Sequence, residues 1–151
     1  MRRKLTLCVG LVFASLSVVF LFYFNNTALV HPKTTGYYNK LKSELHRKGY
    51  ADRLLVISTK RMPWHNRLLA IMNGASPESL HLKGTAMDFL VLDINRDGRA
   101  DTQDVDIVYD LLDKFIIGNK GGIGTYKMDK WFFNRQSIHI DCRGFRRRWI
   151  K

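Results

Sequence analysis

Residues 5–24, LTLCVGLVFASLSVVFLFYF, run for twenty positions without a charge. A stretch of that length matches the hydrocarbon thickness of a bilayer when helical, and no domain of this size has a core that would absorb it. The run therefore divides the chain before any other feature is considered. Arg2, Arg3 and Lys4 precede it, and the excess of positive charge on the cytoplasmic flank predicts that everything after Phe24 lies outside the cytoplasmic membrane. Residues 1–24 are expected to be a single-pass anchor. Secretion after signal cleavage is the competing expectation, weakened because NNTALVHP offers no good pair of small residues for a cleavage site. Residues 25–36 are polar, hold Pro32 and Gly36, and read as a linker. Residues 37–151 are left to form one domain.

The formal charge is +12, of which the three N-terminal cations leave +9 on the remainder. A balance of this kind raises the question of nucleic acid. An exported domain seldom meets it, so anionic envelope polymers and lipid head groups are the better candidates. Cys8 lies within the apolar run, which leaves Cys142 alone in the domain and no internal disulfide. A small exported domain without disulfides needs another staple, and bound metal is one.

Helices and strands alternate without a regular rhythm. Tyr38, Leu41 and Leu45 mark one face of a helix over 37–48, ended by Gly49. LLVIS (54–58) reads as a buried strand. Pro63 opens a second helix that turns Leu68, Leu69 and Met72 inward and stops at Gly74. Residues 86–94 read as a strand, and 121–127 as a glycine-flanked strand. Val105, Val108, Leu111, Leu112 and Phe115 give the inward face of a helix over 105–117. In SIHIDC (137–142), Ile138, Ile140 and Cys142 alternate with Ser137, His139 and Asp141, as in a strand with one face in the core and the other in a cleft. The expected class is α+β: a small antiparallel sheet with flanking helices, a zinc cleft on the sheet face and an inserted calcium loop.

Two clusters carry chemistry. His81, Asp88 and His139 make a sound zinc shell that leaves a fourth position for water. Zinc there would bring the water's pKa towards neutrality, and a carboxylate free of the metal would be needed to move its proton. Asp141, on the same strand face as His139, is the candidate. In DINRDGRADTQD (93–104), Asp93, Asn95, Asp97, Arg99 (by its carbonyl), Asp101 and Asp104 fall on positions 1, 3, 5, 7, 9 and 12 of an EF-hand loop, with Gly98 at the turn. Asp104 stands where a longer glutamate is usual. The alternative is an acidic turn that caps the following helix.

The run Ser79-Leu80-His81-Leu82-Lys83-Gly84-Thr85-Ala86-Met87-Asp88 resembles the S-x-H-x-x-G-x-A-x-D signature of the zinc D-alanyl-D-alanine peptidases, which hedgehog signalling domains share. Gly121 to Tyr126, then Ser137 to Asp141 and the final Arg147-Arg148-Trp149, are similar to the murein peptidase branch of that family. The likeness spans roughly 37–149. It implies zinc on His81, Asp88 and His139, a monomer, and peptidoglycan stem peptides or cross-links as substrate. It further implies that Arg61, in Ser58-Thr59-Lys60-Arg61, grips a substrate carboxylate, that Ser79 hydrogen-bonds in the site or steadies its turn, and that Trp149 packs near the site while the neighbouring arginines face solvent. Many relatives carry an acid where this chain has Gln136, which keeps open a binding module without hydrolysis. A calcium-dependent adhesion domain is a third and weaker reading, because it leaves both histidine motifs unexplained.

Overall fold

The structure is a computed structural model that describes residues 29–126 and 136–150. The anchor expected over 1–24 lies outside those residues. Among the described residues no helix is long and apolar enough to cross a membrane.

The class is α+β. Helix α1 (Pro32–Arg47) leads to strand β1 (Leu54–Ser58), helix α2 (Pro63–Asn73), a short 3-10 turn (Leu80–Lys83), strand β2 (Ala86–Val91) and helix α3 (Thr102–Leu111). Strands β3 (Gly122–Tyr126), β4 (Ser137–Asp141) and β5 (Arg147–Ile150) follow. They form one five-stranded sheet in the order β1-β2-β4-β3-β5. All neighbours are antiparallel except β3 and β5, which run parallel. The expectation of a purely antiparallel sheet is corrected at this edge, where the chain returns past Gly144 to lie beside β3.

The period of two decides the two faces of the sheet. Met87, Phe89 and Val91 of β2 and Ile138 and Ile140 of β4 are buried in the core, together with Ile123, Leu41, Leu45, Val105, Val108, Leu111 and Leu112. Tyr38 meets the Phe89 ring edge-on, with centroids 5.4 Å apart. The other face carries Asp88, His139, Asp141 and Trp149.

Three expectations change. Helix α1 begins at Pro32 and not at Tyr37, because Pro32 sits in the first turn, where its missing N–H costs nothing. The His31 ring accepts from Lys33 N–H, and the Thr34 hydroxyl donates to the Thr85 carbonyl, so residues 32–36 are helix and not linker. At the end of α3 the helix widens into a π turn (Leu112–Ile116) closed by Ile117 N–H on the Leu112 carbonyl. The extra residue in that turn shifts the helical phase, and Phe115 faces solvent under Lys48. On α2, Leu68 and Met72 are exposed and Leu69 is half-buried. That helix seats His65 and Asn66 against the protein in their place.

The tail is also less free than its charge suggests. Arg148 donates to Asp113 and to the Gly121 and Gly118 carbonyls, and Arg146 forms a second bridge to Asp113. Bonds from Arg146 outweigh burial and hold the Asp113 carboxyl below its ordinary range. The folded carboxyl therefore binds its proton more weakly than the unfolded one. Its contribution is complete above the unfolded carboxyl's pKa and is lost as pH falls through the folded value. Asp113→Asn is expected to lower the melting temperature near neutral pH, with the difference from wild type shrinking on acidification. Thermal melts across an acid series read this directly.

Candidate metal centre

The site is assembled by three connections. His81 rides the 3-10 turn that precedes β2, where the Ser79 hydroxyl accepts from His81 N–H, the turn-steadying contact. Asp88 is the third residue of β2 and His139 the third of β4, and the two stand directly opposite each other in the antiparallel register. A slip of one residue in either strand would send one of them into the core.

The ligand atoms of His81, Asp88 and His139 lie within 4.8 Å of one another, and among the described residues this is the one group of His, Cys, Asp and Glu side chains so arranged. His81 Nε2 is 3.1 Å from Asp88 Oδ2, His139 Nδ1 is 2.7 Å from Asp88 Oδ1, and the two ring nitrogens are 3.3 Å apart. The group could hold a metal ion.

The outer nitrogens explain why these inner atoms suit a cation. His81 Nδ1 is 2.6 Å from the Thr59 carbonyl, which can only accept, so Nδ1 carries the proton and Nε2 presents a lone pair inward. His139 Nε2 faces Asp141 Oδ2 at 3.2 Å, leaving Nδ1 inward. Each imidazole thus has the carbonyl or carboxylate partner that orients histidine ligands of metals. Burial lowers the His81 pKa, against the pull of Asp88, and favours the neutral ring. Burial alone would raise the Asp88 carboxyl, but His81 and His139 hold it well below the usual range. For His139 burial is outweighed by Asp141 and Asp88, and its pKa is raised. Two ring nitrogens and a buried carboxylate thus converge on one place, the donor set of a site that could hold a metal ion.

Asp141 is placed behind His139. Its Oδ1 accepts from Gly122 N–H, Arg143 N–H and Arg143 Nε, and its Oδ2 takes Arg143 at 2.6 Å as well as His139. Bonds from His139 and Arg143 overcome burial and hold the carboxyl far below its ordinary range. A fully buried carboxylate so engaged is a poor proton acceptor and a good orienting group. Arg61 lies beside the cluster, with its side chain donating to Asp88 Oδ2 at 2.7 Å and to Ser58 Oγ at 2.9 Å. These bonds use Nε and one Nη2 hydrogen of a group with five N–H donors, so the contact with Asp88 does not by itself exclude the expected grip on a substrate carboxylate. Gln136 donates to the Ala100 carbonyl and so faces the 93–104 loop.

A cleft of about 1050 Å³ opens over the cluster. Its walls include Glu78, Lys83, Tyr126, Arg143, Arg147 and Trp149. Tyr126 ends the Gly121–Tyr126 motif but is not among the expected site residues, and Glu78 carries no periodic or motif signal. Trp149 packs against His139 with ring centroids 5.1 Å apart, beneath the Arg143 guanidinium. The indole lies directly on Gly124, where any Cβ would collide with it.

The calcium expectation fares differently. Asp104 is buried and spends both oxygens on the loop: Oδ1 accepts from Ile94 and Asn95 N–H, and Oδ2 from Asp101 N–H. Asp101 caps α3 in return, which completes a capping box. Asp93 pairs with Arg53, and Asn95 and Asp97 bond each other. Of the six expected calcium ligands, Asp101 and Asp104 are thus engaged in the cap of α3 and Arg99 N–H donates to Asp97, and among the described residues no calcium site is shown.

No family model, curated protein or solved structure matches this chain.

Replacing Gly124 by Ala is expected to expel Trp149 from its seat and to weaken any metal binding at the cluster at least ~10-fold, the scale on which supporting contacts act. Calorimetric zinc titration, with tryptophan emission followed in parallel, measures both.

Proposed function

We propose that this protein is a zinc-dependent hydrolase that cuts peptide bonds of peptidoglycan, held outside the cytoplasmic membrane by residues 5–24. One observation carries the reading: His81, Asp88 and His139 converge on the floor of a cleft wide enough for a peptide. The ordered set of motifs that resembles the zinc D-alanyl-D-alanine peptidases supports the choice of substrate.

His81 Nε2, His139 Nδ1 and the Asp88 carboxylate would hold the ion. When bound, zinc supplies Lewis acidity and a nucleophilic water near neutral pH. The chain's own residues do the rest. Thr59 and Asp141 keep the two rings in the required tautomers and orientations. Trp149 covers the outer edge of His139 and excludes water from it. Lys83, Arg143 and Arg147 give the walls a positive balance that suits the carboxylates of stem peptides. The expected base, Asp141, acts in this scheme through His139. Glu78, exposed on the cleft wall and with Asp88 the only acids of its lining among the described residues, is the carboxylate to which this scheme gives the proton exchange.

The test is digestion of purified peptidoglycan by the full chain in detergent, with products identified by mass. His139→Ala and Asp88→Ala are expected to abolish hydrolysis and zinc binding together. Glu78→Gln is expected to lower kcat by about 10²–10⁴ with zinc affinity kept, whereas Asp141→Asn lowers zinc affinity as well. Loss of kcat with intact zinc affinity in Asp141→Asn would return the base to Asp141. Zinc bound with no product from any peptidoglycan would favour the binding module, a reading that the position of Gln136, turned away from the cluster, keeps in play.

Calcium enters this proposal only as a stabiliser of the 93–104 loop, supported by the spacing of its oxygen ligands and by the buried, unpartnered Asp93 Oδ1. Millimolar calcium is then expected to raise the melting temperature of wild type and not of Asp97→Ala. An unchanged melting curve leaves the loop as a helix cap.

A further inference from the structure

Helix α2 presents an apolar stripe to solvent. Trp64 is 64% exposed, Leu68 48%, Ile71 85% and Met72 57%, and Met62 just before the helix is 44% exposed. Positions 64, 68, 71 and 72 follow the i, i+4, i+7, i+8 spacing of one helical face. A contiguous stripe of this kind is unusual on a soluble surface and marks a contact site. The core does not claim it, because α2 is seated through His65 and Asn66 on its other side.

What covers the stripe is decided by charge and by the tether. Helix α2 contains no acidic residue, and Lys60, Arg67, Lys83 and Lys33 are exposed on and around it. Leu29, the first described residue, lies with its carbonyl against Gly84, and the Lys60 side chain lies against the same glycine. His31 N–H fastens this entry to the Gly84 carbonyl at 2.8 Å. The chain thus enters the domain beside Lys60, just ahead of Pro63 at the start of α2. Residues 25–28 separate Leu29 from the apolar run, and an extended chain gains at most about 3.6 Å per residue, so Leu29 stays within about 20 Å of that run's end. A domain of this size has a radius of gyration of about 13 Å. An anchor in residues 5–24 would hold the domain that close to the bilayer on the side where α2 begins.

We infer that α2 is a membrane-interface helix: its Trp64, Leu68, Ile71 and Met72 face sinks into the head-group region of an anionic bilayer, with Lys60 and Arg67 on the phosphates. Trp at the polar–apolar boundary and cations beside an apolar face are the features by which such helices bind. The cleft over His81 and His139 is then held at a set height beside the lipid surface. This inference rests on the anchor reading of residues 5–24 and not on hydrolysis.

The experiment uses the full chain with Trp131→Phe and Trp149→Phe, so that Trp64 is the remaining fluorophore. The chain is reconstituted in vesicles of phosphatidylglycerol and phosphatidylethanolamine, with or without bromine on the upper acyl chain. Trp64 emission is expected to fall several-fold in the brominated vesicles. Adding Leu68→Asp and Ile71→Asp, both at exposed positions, is expected to restore emission while the protein still sediments with the vesicles through residues 5–24. Equal emission in both kinds of vesicle overturns the inference. So does a dimer, cross-linked through a cysteine placed at Met72, that forms in detergent and persists in the vesicles with Trp64 unquenched, since the stripe would then be covered by a second copy. Quenching of the parent protein together with loss of sedimentation in the Leu68→Asp, Ile71→Asp variant would keep the α2 contact and remove the anchor.

Discussion

The opposition of Asp88 and His139 across β2 and β4 is the contact on which the rest of the site depends. Both strands sit within the sheet rather than at its edges, and each alternates a core residue with a cleft residue. Burying Met87, Phe89, Ile138 and Ile140 on one face therefore commits Asp88, His139 and Asp141 to the other. The hydrophobic core sets the register, and the register brings a carboxylate and an imidazole to 2.7 Å. His81 joins them through the 3-10 turn, whose Gly84 end is fastened to the entry of the chain by His31.

A converging set of acceptors in a buried place is unstable unless something positive joins it and something rigid holds it. The rigidity comes from outside the triad. The Thr59 carbonyl turns His81, and Asp141 turns His139 while being itself clamped by Arg143 and Gly122. Trp149, delivered by β5, closes over His139 because Gly124 has no side chain to refuse it. The parallel β5 edge and the Asp113 bridges to Arg146 and Arg148 thus act on the centre at one remove, by fixing where Trp149 lies.

Where periodicity and burial agree, the elements were legible. SIHIDC alternates, and its first five residues are β4. Leu41, Leu45, Val105 and Val108 keep helical spacing, and all are buried. Legibility failed where a local device overrode the pattern. Pro32 begins a helix that composition assigns to a linker. The π turn adds a residue and carries Phe115 out of the face its spacing assigns. Helix α2 is amphipathic, but its apolar side faces outward, and a stripe of apolar residues reads the same in sequence whether it is turned to the core or away from it. Asp141 shares a strand face with His139, as alternation requires, while its role depends on Arg143, two residues on, and no spacing rule records that pairing.

Sequence alone determined the α+β class and the face on which His139 and Asp141 stand, since these follow from the periods at which apolar residues recur. It also singled out His81 and Asp88 as a pair within one short run. Only the tertiary structure decided that these two meet a third residue from a distant strand, that Asp141 lies behind the cluster, and that Asp101 and Asp104 join in the cap of α3. Those outcomes depend on strand order and on which hydrogen-bond partner arrives first at a buried carboxylate. Neither is written in local pattern, because each is settled by distances between segments that the chain brings together only when its core closes.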